Sequence, residues 1–253
     1  MTAHRRNNIA FEDNGCFCFE GYRLISRTLD CVPMNSRVVV NTISPNSYGL
    51  ACHDNEMYKA LHKSNYLILD GMYFGFWPLL IYGKRIKRIT GWDAFVYFAD
   101  KLNQQSGKMF FLGSSKETLN KIKERMAVDY PNVIIASYSP PYKSEFNDDD
   151  NKDMINAINN FAPNVLAIGM TAPKQEKWAV RHIDKLNVNV TIAIGNVFDW
   201  YAGNSKRPSQ FWCKIGLEWL VRIFLRPEIF RRNIANQMLF FWHLLLRLLR
   251  IKK

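Results

Sequence analysis

The chain has 253 residues, is 48% hydrophobic and 14% aromatic, and so can bury a sizeable core, one α/β domain with an appendage. Five cysteines (Cys16, Cys18, Cys31, Cys52, Cys213) with no C-x-x-C pair read as reduced thiols of a cytoplasmic protein, and five histidines with no H-x-H or H-E-x-x-H spacing predict no metal site. Of the net charge of +12, +9 falls from Trp200 to Lys253, where eleven Lys and Arg face Glu218 and Glu228, which points to an anionic partner for the tail: nucleic acid, acidic lipid or phosphate.

The N-terminal MTAHRRNNIAFEDNG is polar and mixed in charge, with no apolar h-region, so no secretory signal is read there. Six apolar runs of strand length follow: Val38–Val40, Tyr66–Leu69, Met109–Leu112, Val133–Ala136, Val165–Ile168 and Val190–Ile194. Continuous rather than alternating runs predict strands buried on both faces of a parallel sheet. Between them, Lys116–Val128 places Leu119, Ile122 and Met126 on one helical face behind a Ser114-x-x-Glu117 capping box, and Asp153–Phe161 predicts a shorter helix. The alternation predicts a Rossmann-like doubly wound sheet over residues 1–203. Residues 204–253 read as a basic, amphipathic helical appendage. Its run Met238–Leu246 is too short to span a bilayer. With Phe241, Trp242 and Leu245 apolar and Arg247, Arg250, Lys252 and Lys253 behind, it suits a membrane interface; a helix docked on the core would need an apolar face too.

Polar residues and glycines gather just after the strands: Ser44-Pro45-Asn46, Asp70-Gly71, Gly113-Ser114-Ser115, Gly169 to Gln175, and Gly195-Asn196. Open parallel sheets bind ligands at that edge. Gly169 is expected to let the backbone approach a ligand, and Pro173 to start a helix carrying Lys174, Gln175 and Glu176. Trp178 reads as packing. Asp70, ending an apolar strand, can be a general base or a turn residue; Asp93 and Asp199 are the next candidates. Arg88 beside a helix start can bind phosphate, or lie in a solvated loop capped by Asp93. Asp148-Asp149-Asp150 reads as a solvated loop before a helix rather than a metal clamp, and Gly113-Ser114-Ser115 is not a P-loop.

The blocks ILDG, RITGWD, GMTAPKQEKWA, AIGNVFDWYAG and IGLEWLVRIFLRP, in this order, resemble the WecG/TagA/CpsF family of glycosyltransferases. The resemblance runs from about Val38 to Arg232. It implies inverting, metal-independent transfer of a sugar from a UDP-sugar to an undecaprenyl-diphosphate-linked saccharide, without cofactor, on the inner face of the plasma membrane. N-acetylmannosamine, its uronic acid and related sugars are the family's donors, in teichoic acid, common antigen and capsule synthesis. The family's base falls on Asp70, its Thr-x-Asn on Ser44-x-Asn46, its Arg before Gly-x-Asp on Arg88, and its active-site Gln on Gln175. Its appendage arginines fall on Arg222 and on Arg231 or Arg232. The resemblance leaves a homo-oligomer open.

Three positions depart from the pattern. Ser44 replaces Thr and keeps the hydroxyl, Arg207-Pro208-Ser209 replaces Arg-Ala-Pro, and Met72-Tyr73-Phe74 is bulkier than the family's small residues. The last two are expected to reshape the donor or acceptor pocket. The competing reading is a nucleotide- or nucleic-acid-binding protein with its tail on a phosphate backbone. The apolar face of the tail argues against that, so no nucleic acid is expected.

Overall fold

The computed structural model describes residues 10–206 and 227–249, without the side chains of residues 227–230 and 232. Its sheet has nine strands: β1 (Phe11–Asp13), β2 (Cys16–Phe19), β3 (Tyr22–Ile25), β4 (Val38–Ile43), β5 (Tyr66–Leu69), β6 (Lys108–Gly113), β7 (Ile134–Tyr138), β8 (Val165–Gly169) and β9 (Val190–Ala193). The order is β1-β2-β3-β5-β4-β9-β8-β6-β7. From β3 to β7 every pairing is parallel; β1 and β2 join antiparallel at one edge. All six apolar runs are strands. The N-terminal hairpins were not expected. Each turns on two residues with positive φ, Asn14-Gly15 (43° and 77°) and Glu20-Gly21 (48° and 85°), the conformation a tight hairpin with right-twisted strands requires.

The helices are α1 (Pro45–His53), α2 (Asn55–Lys63), α3 (Phe76–Tyr82), α4 (Gly91–Gln105), α5 (Lys116–Asp129), α6 (Asp148–Phe161), α7 (Lys174–His182), α8 (Val197–Tyr201) and a C-terminal helix (Pro227–Leu248). They cover both faces of the sheet, which is why the strands read as unbroken apolar runs. Successive residues still point to opposite faces. Tyr66 and Ile68 join Phe95, Phe98 and Leu102 of α4, whereas Leu67 and Leu69 join Phe74, Trp77 and Phe240.

Two local expectations are corrected. The cap of α5 is Ser115, whose hydroxyl accepts from Thr118 N, not Ser114, which takes a left-handed φ of 61° in the preceding turn. Asp148, Asp149 and Asp150 are not a loop before α6 but its first turn. Asn147 and Asp150 form a reciprocal capping box, and Lys143 Nζ lies 2.8 Å from Asp150 Oδ2.

No helix among the described residues is long and apolar enough to cross a membrane. The C-terminal helix lies against α1 and α3. Phe240 and Leu244 are buried with Tyr48, Phe74 and Trp77, and Tyr48 Oη is 3.0 Å from His243 Nδ1. The helices approach most closely at Gly49, where a Cβ would stand 2.5 Å from Asn236 Cα. The opposite face exposes Met238, Phe241, Trp242, Leu245 and Leu248. These positions recur every three or four residues and form one stripe along the helix. Leu79 and Leu80 of α3 are exposed as well.

The bulky Met72-Tyr73-Phe74 segment finds its explanation here. Phe74 is buried with its ring 5.3 Å from that of Phe240, and the Tyr73 ring is 6.0 Å from that of Phe241. Tyr73 and Phe74 thus help build the seat of the C-terminal helix. Arg207-Pro208-Ser209 lies outside the described residues.

Candidate active site

The carboxyl ends of β4, β5 and β9 and the start of α7 bring four predicted groups to one place. Ser44 ends β4 and caps α1, its Oγ accepting from Ser47 N at 3.2 Å. Beside it, Asp70 N donates to Ile43 O (3.0 Å), which ties the end of β5 to the end of β4. Gly71, at φ 91°, turns the chain sharply there; a Cβ on it would be 4.0 Å from Ser44 Cβ. That φ strains any residue with a side chain. Half-buried Asp70 thus stands at the end of β5, with its backbone tied to the end of β4 beside Ser44.

Gln175 and Glu176 approach from α7. Both are buried, at 5% and 2% exposure, and Gln175 Nε2 donates to Glu176 Oε1 at 2.9 Å. Gln175 Oε1 and Glu176 Oε2 have no hydrogen-bond partner among the described residues. Each unsatisfied buried group costs about 1–3 kcal/mol, so two adjacent ones make this spot a candidate for a polar ligand. Burial raises the Glu176 carboxyl above its ordinary range, and the nearby charge of Asp70 adds to the effect. The two acids therefore feel each other across the crevice. A Cβ on Gly195, after β9, would be 3.4 Å from Gln175 Nε2, so this glycine leaves the amide its room.

Arg88 reaches the same edge through the start of α4. Lys87 N donates to Ser26 O beside β3, and a Cβ on Gly91 would be 3.4 Å from Ile194 Cβ at the end of β9. Asp93 is the capping partner of Thr90: its Oδ2 accepts from Thr90 N (2.9 Å) and Thr90 Oγ1 (2.8 Å). That serves the helix start.

Other expected residues are placed differently. Gly169 does not open space for a ligand, because a Cβ there would collide with the Phe198 ring. Gly113, at φ 113°, fits against the Gly169 carbonyl at the neighbouring strand end. Pro173 precedes α7, as expected, but Lys174 turns away: its Nζ donates to Lys143 O at 2.7 Å and lies over the Phe146 ring. Asp199 lies within α8, its carbonyl accepting from Asn204 N. Trp178 is buried and donates to Asn151 Oδ1 at 2.9 Å, which makes it a packing residue. Arg231 is exposed on the C-terminal helix; Arg222 and the Arg232 side chain lie outside the described residues. Among the described residues no group of three or more His, Cys, Asp or Glu is arranged to hold a metal.

Two contacts were not anticipated. Asn46 Oδ1 accepts from Asn236 Nδ2 at 3.1 Å, and Asn236 also crosses Gly49. The one sequence signal was a glycine inside α1, where a helix ordinarily avoids it.

A mostly parallel sheet with carboxyl, amide and hydroxyl groups at its carboxyl edge is compatible with a glycosyltransferase, and comparison with known proteins assigns that class. The model of the Glycosyl transferase WecG/TagA/CpsF family matches residues 19–253, and the chain belongs to that family. It is 28% identical over 203 residues to the N-acetylglucosaminyldiphosphoundecaprenol N-acetyl-beta-D-mannosaminyltransferase of Bacillus spizizenii, covering 79% of this chain and 76% of the relative. The Bacillus subtilis protein of the same name is 26% identical, over 78% of this chain and 75% of its own length. The Staphylococcus aureus one is 21% identical, over 89% of both.

Proposed function

We propose that this glycosyltransferase moves a sugar from a UDP-sugar to an undecaprenyl-diphosphate-linked saccharide, with inversion and without a metal, at the inner face of the plasma membrane. The donor is an N-acetylhexosamine such as N-acetylmannosamine, its uronic acid, or another hexose. The observation that carries the reading is the meeting of Asp70, Ser44 and the buried Gln175–Glu176 pair at one strand edge. The relatives' shared name supplies the lipid-linked acceptor.

In this reading an acceptor hydroxyl oxygen bonds to the anomeric carbon as its bond to the UDP oxygen breaks. Asp70 takes the hydroxyl proton, and UDP departs with the electron pair. A base at the rim reaches an incoming hydroxyl without itself being buried. Burial, with a smaller contribution from Asp70, raises the Glu176 carboxyl and so favours its protonated form, which can donate to a sugar oxygen. Ser44, Asn46 and Gln175 offer neutral donors and acceptors to sugar hydroxyls. Charge growing on UDP falls to Arg88, Arg222 and Arg231 or Arg232, whose planar forks match phosphate oxygens.

The lipid acceptor accounts for the outer stripe of the C-terminal helix. Phe241, Trp242 and Leu245, with Arg250, Lys252 and Lys253 after them, suit an anionic leaflet, whereas Arg247 lies 3.4 Å from Glu20 of the core. The test is a panel of UDP-sugars incubated with a lipid-diphosphate saccharide, with and without EDTA, and read by mass spectrometry. One donor should extend the acceptor by one sugar in both conditions. No extension by any donor would overturn the reading. Loss on chelation restored by Mg²⁺ or Mn²⁺ would overturn its metal-independent part.

A further inference from the structure

We propose that Asn236 is a positioning residue: it sets the orientation of the Asn46 amide and so couples the seating of the C-terminal helix to the sugar-binding edge. The inference rests on the assignment of Asn46 to that edge in the proposed function.

An asparagine side chain has one acceptor and one two-proton donor, and either end fits the same space. Asn46 therefore needs a neighbour to decide which end meets a ligand. Asn236 Nδ2 donates to Asn46 Oδ1 at 3.1 Å, which fixes the carbonyl toward the C-terminal helix. No other described residue takes up Asn46 Nδ2, so the NH2 remains a donor for a sugar or phosphate oxygen. Asn46 is the second residue of α1, two past Ser44, and both lie where β4 ends.

The contact depends on close approach of two helices. At Gly49, one turn further along α1, a Cβ would stand 2.5 Å from Asn236 Cα and would press on its backbone as well. Backbone cannot swing aside as a long side chain can, so a methyl here must push the C-terminal helix outward. Further along, Tyr48 Oη meets His243 Nδ1 at 3.0 Å and Phe240 fills the cluster with Phe74 and Trp77. The same helix then presents Phe241, Trp242 and Leu245 outward. One rigid element thus carries the exposed apolar stripe and, about one and a half to two and a half turns earlier, the amide that orients a site residue.

The test uses isosteric change in the full chain. Asn236→Asp replaces the donor by an acceptor-only carboxylate, so Asn46 must turn its NH2 toward position 236 and its carbonyl toward the ligand. KM for the UDP-sugar selected by the donor panel should rise about tenfold, the scale of one hydrogen bond, with kcat within about twofold and melting temperature little changed. Asn236→Gln, which keeps an NH2 donor, should recover much of the loss. Gly49→Ala should lose transfer together with stability. An independent arm uses the side-chain amide resonances of Asn46: Asn236→Asp should shift them, while Phe241→Ser on the outer stripe should not. Unchanged KM and unmoved resonances in a folded Asn236→Asp protein would overturn the proposal. If the wild type transferred no sugar, the proposed function would fall, and the amide resonances alone would decide whether Asn236 orients Asn46.

Discussion

The crevice and the C-terminal helix break the usual surface rule in opposite directions. At the crevice, polar side chains are buried: Gln175 and Glu176 are almost wholly enclosed, each with an acceptor unsatisfied by the described residues. On the C-terminal helix, large apolar side chains are exposed: Trp242 at 56% and Leu245 at 45%. A single exposed leucine needs no explanation, but a buried orphan acceptor and a continuous apolar stripe each do. The first asks for a small polar ligand and the second for an apolar surface. A transferase whose acceptor sugar is tethered to lipid would need both on one body, and the Asn46–Asn236 contact is where the two regions touch.

The comparison breaks most sharply at Asp70. Asp70→Asn should fold normally and lower turnover by about 10²-fold or more, the scale of a lost general base, with liposome binding intact. Near wild-type transfer by a folded variant would remove Asp70 from the chemistry.

The two faces of the C-terminal helix should separate next. Phe240→Ala empties a fully buried site shared with Phe74 and Trp77 and should cost about 3–5 kcal/mol in chemical denaturation. Replacing Phe241, Trp242 and Leu245 by Ser should cost far less stability. It should release the protein from anionic liposomes in flotation yet spare transfer to a short-chain, water-soluble acceptor. Equal stability losses on the two faces would refute the division. Retained flotation by the triple variant would refute the membrane assignment.

A third test sharpens the crevice side. Burial, with Asp70 nearby, raises the Glu176 carboxyl, so the folded protein binds a proton there more tightly than the unfolded chain does. A raised pKa contributes stability that is full below the ordinary carboxylate pKa and is lost as pH rises through the folded value. Glu176→Gln removes the titration. Its melting temperature should exceed the wild type's increasingly as pH rises, with the difference closing at acid pH. A pH-independent difference would mean that folding does not raise the Glu176 carboxyl.

Much of this fold was legible because it obeys one simple condition. A strand covered by helices on both faces is apolar at most positions, so six runs marked six strands, although edge strand β7 is only partly covered and exposes Ile134. The N-terminal hairpins were hidden because β1 is short and largely exposed and β2 has only four residues, although Asn14-Gly15 is a strong hairpin turn signal. At the site, Asp70 and Gln175 could be picked out because a strand end followed by polar residues is a local pattern. The meaning of Gly169 could not, because its constraint is the Phe198 ring, nor that of Asn236, whose partner lies 190 residues away. Contacts of that kind leave only indirect traces, such as the glycine inside α1 or the bulky residues after Asp70-Gly71.

The smallest expected effect concerns the one acidic run, which stands outside both regions. Asp148, Asp149 and Asp150 form the first turn of α6, where negative charge meets the free N–H groups of a helix start. Asp150 alone has defined partners: Asn147 N donates to its Oδ2 at 3.0 Å, and Lys143 Nζ reaches the same oxygen. The hydrogen bond from Lys143 holds the Asp150 carboxyl below its ordinary pKa. A lowered pKa gives stability present above the unfolded value and lost as pH falls through the folded one, so any contribution should fade in acid. Lys143 is exposed although Asp150 is largely covered, and ion pairs at the surface contribute little. Replacing all three by Asn should keep transfer within about twofold and move the melting temperature by less than about 2 °C at neutral pH. Asp150→Asn alone should account for most of that shift, because an Asn at this position still caps but no longer pairs with Lys143. If instead the triple variant lost transfer and Mg²⁺ dependence appeared in the wild type, the run would be a metal clamp serving the crevice, and the separation of α6 from the chemistry would fail.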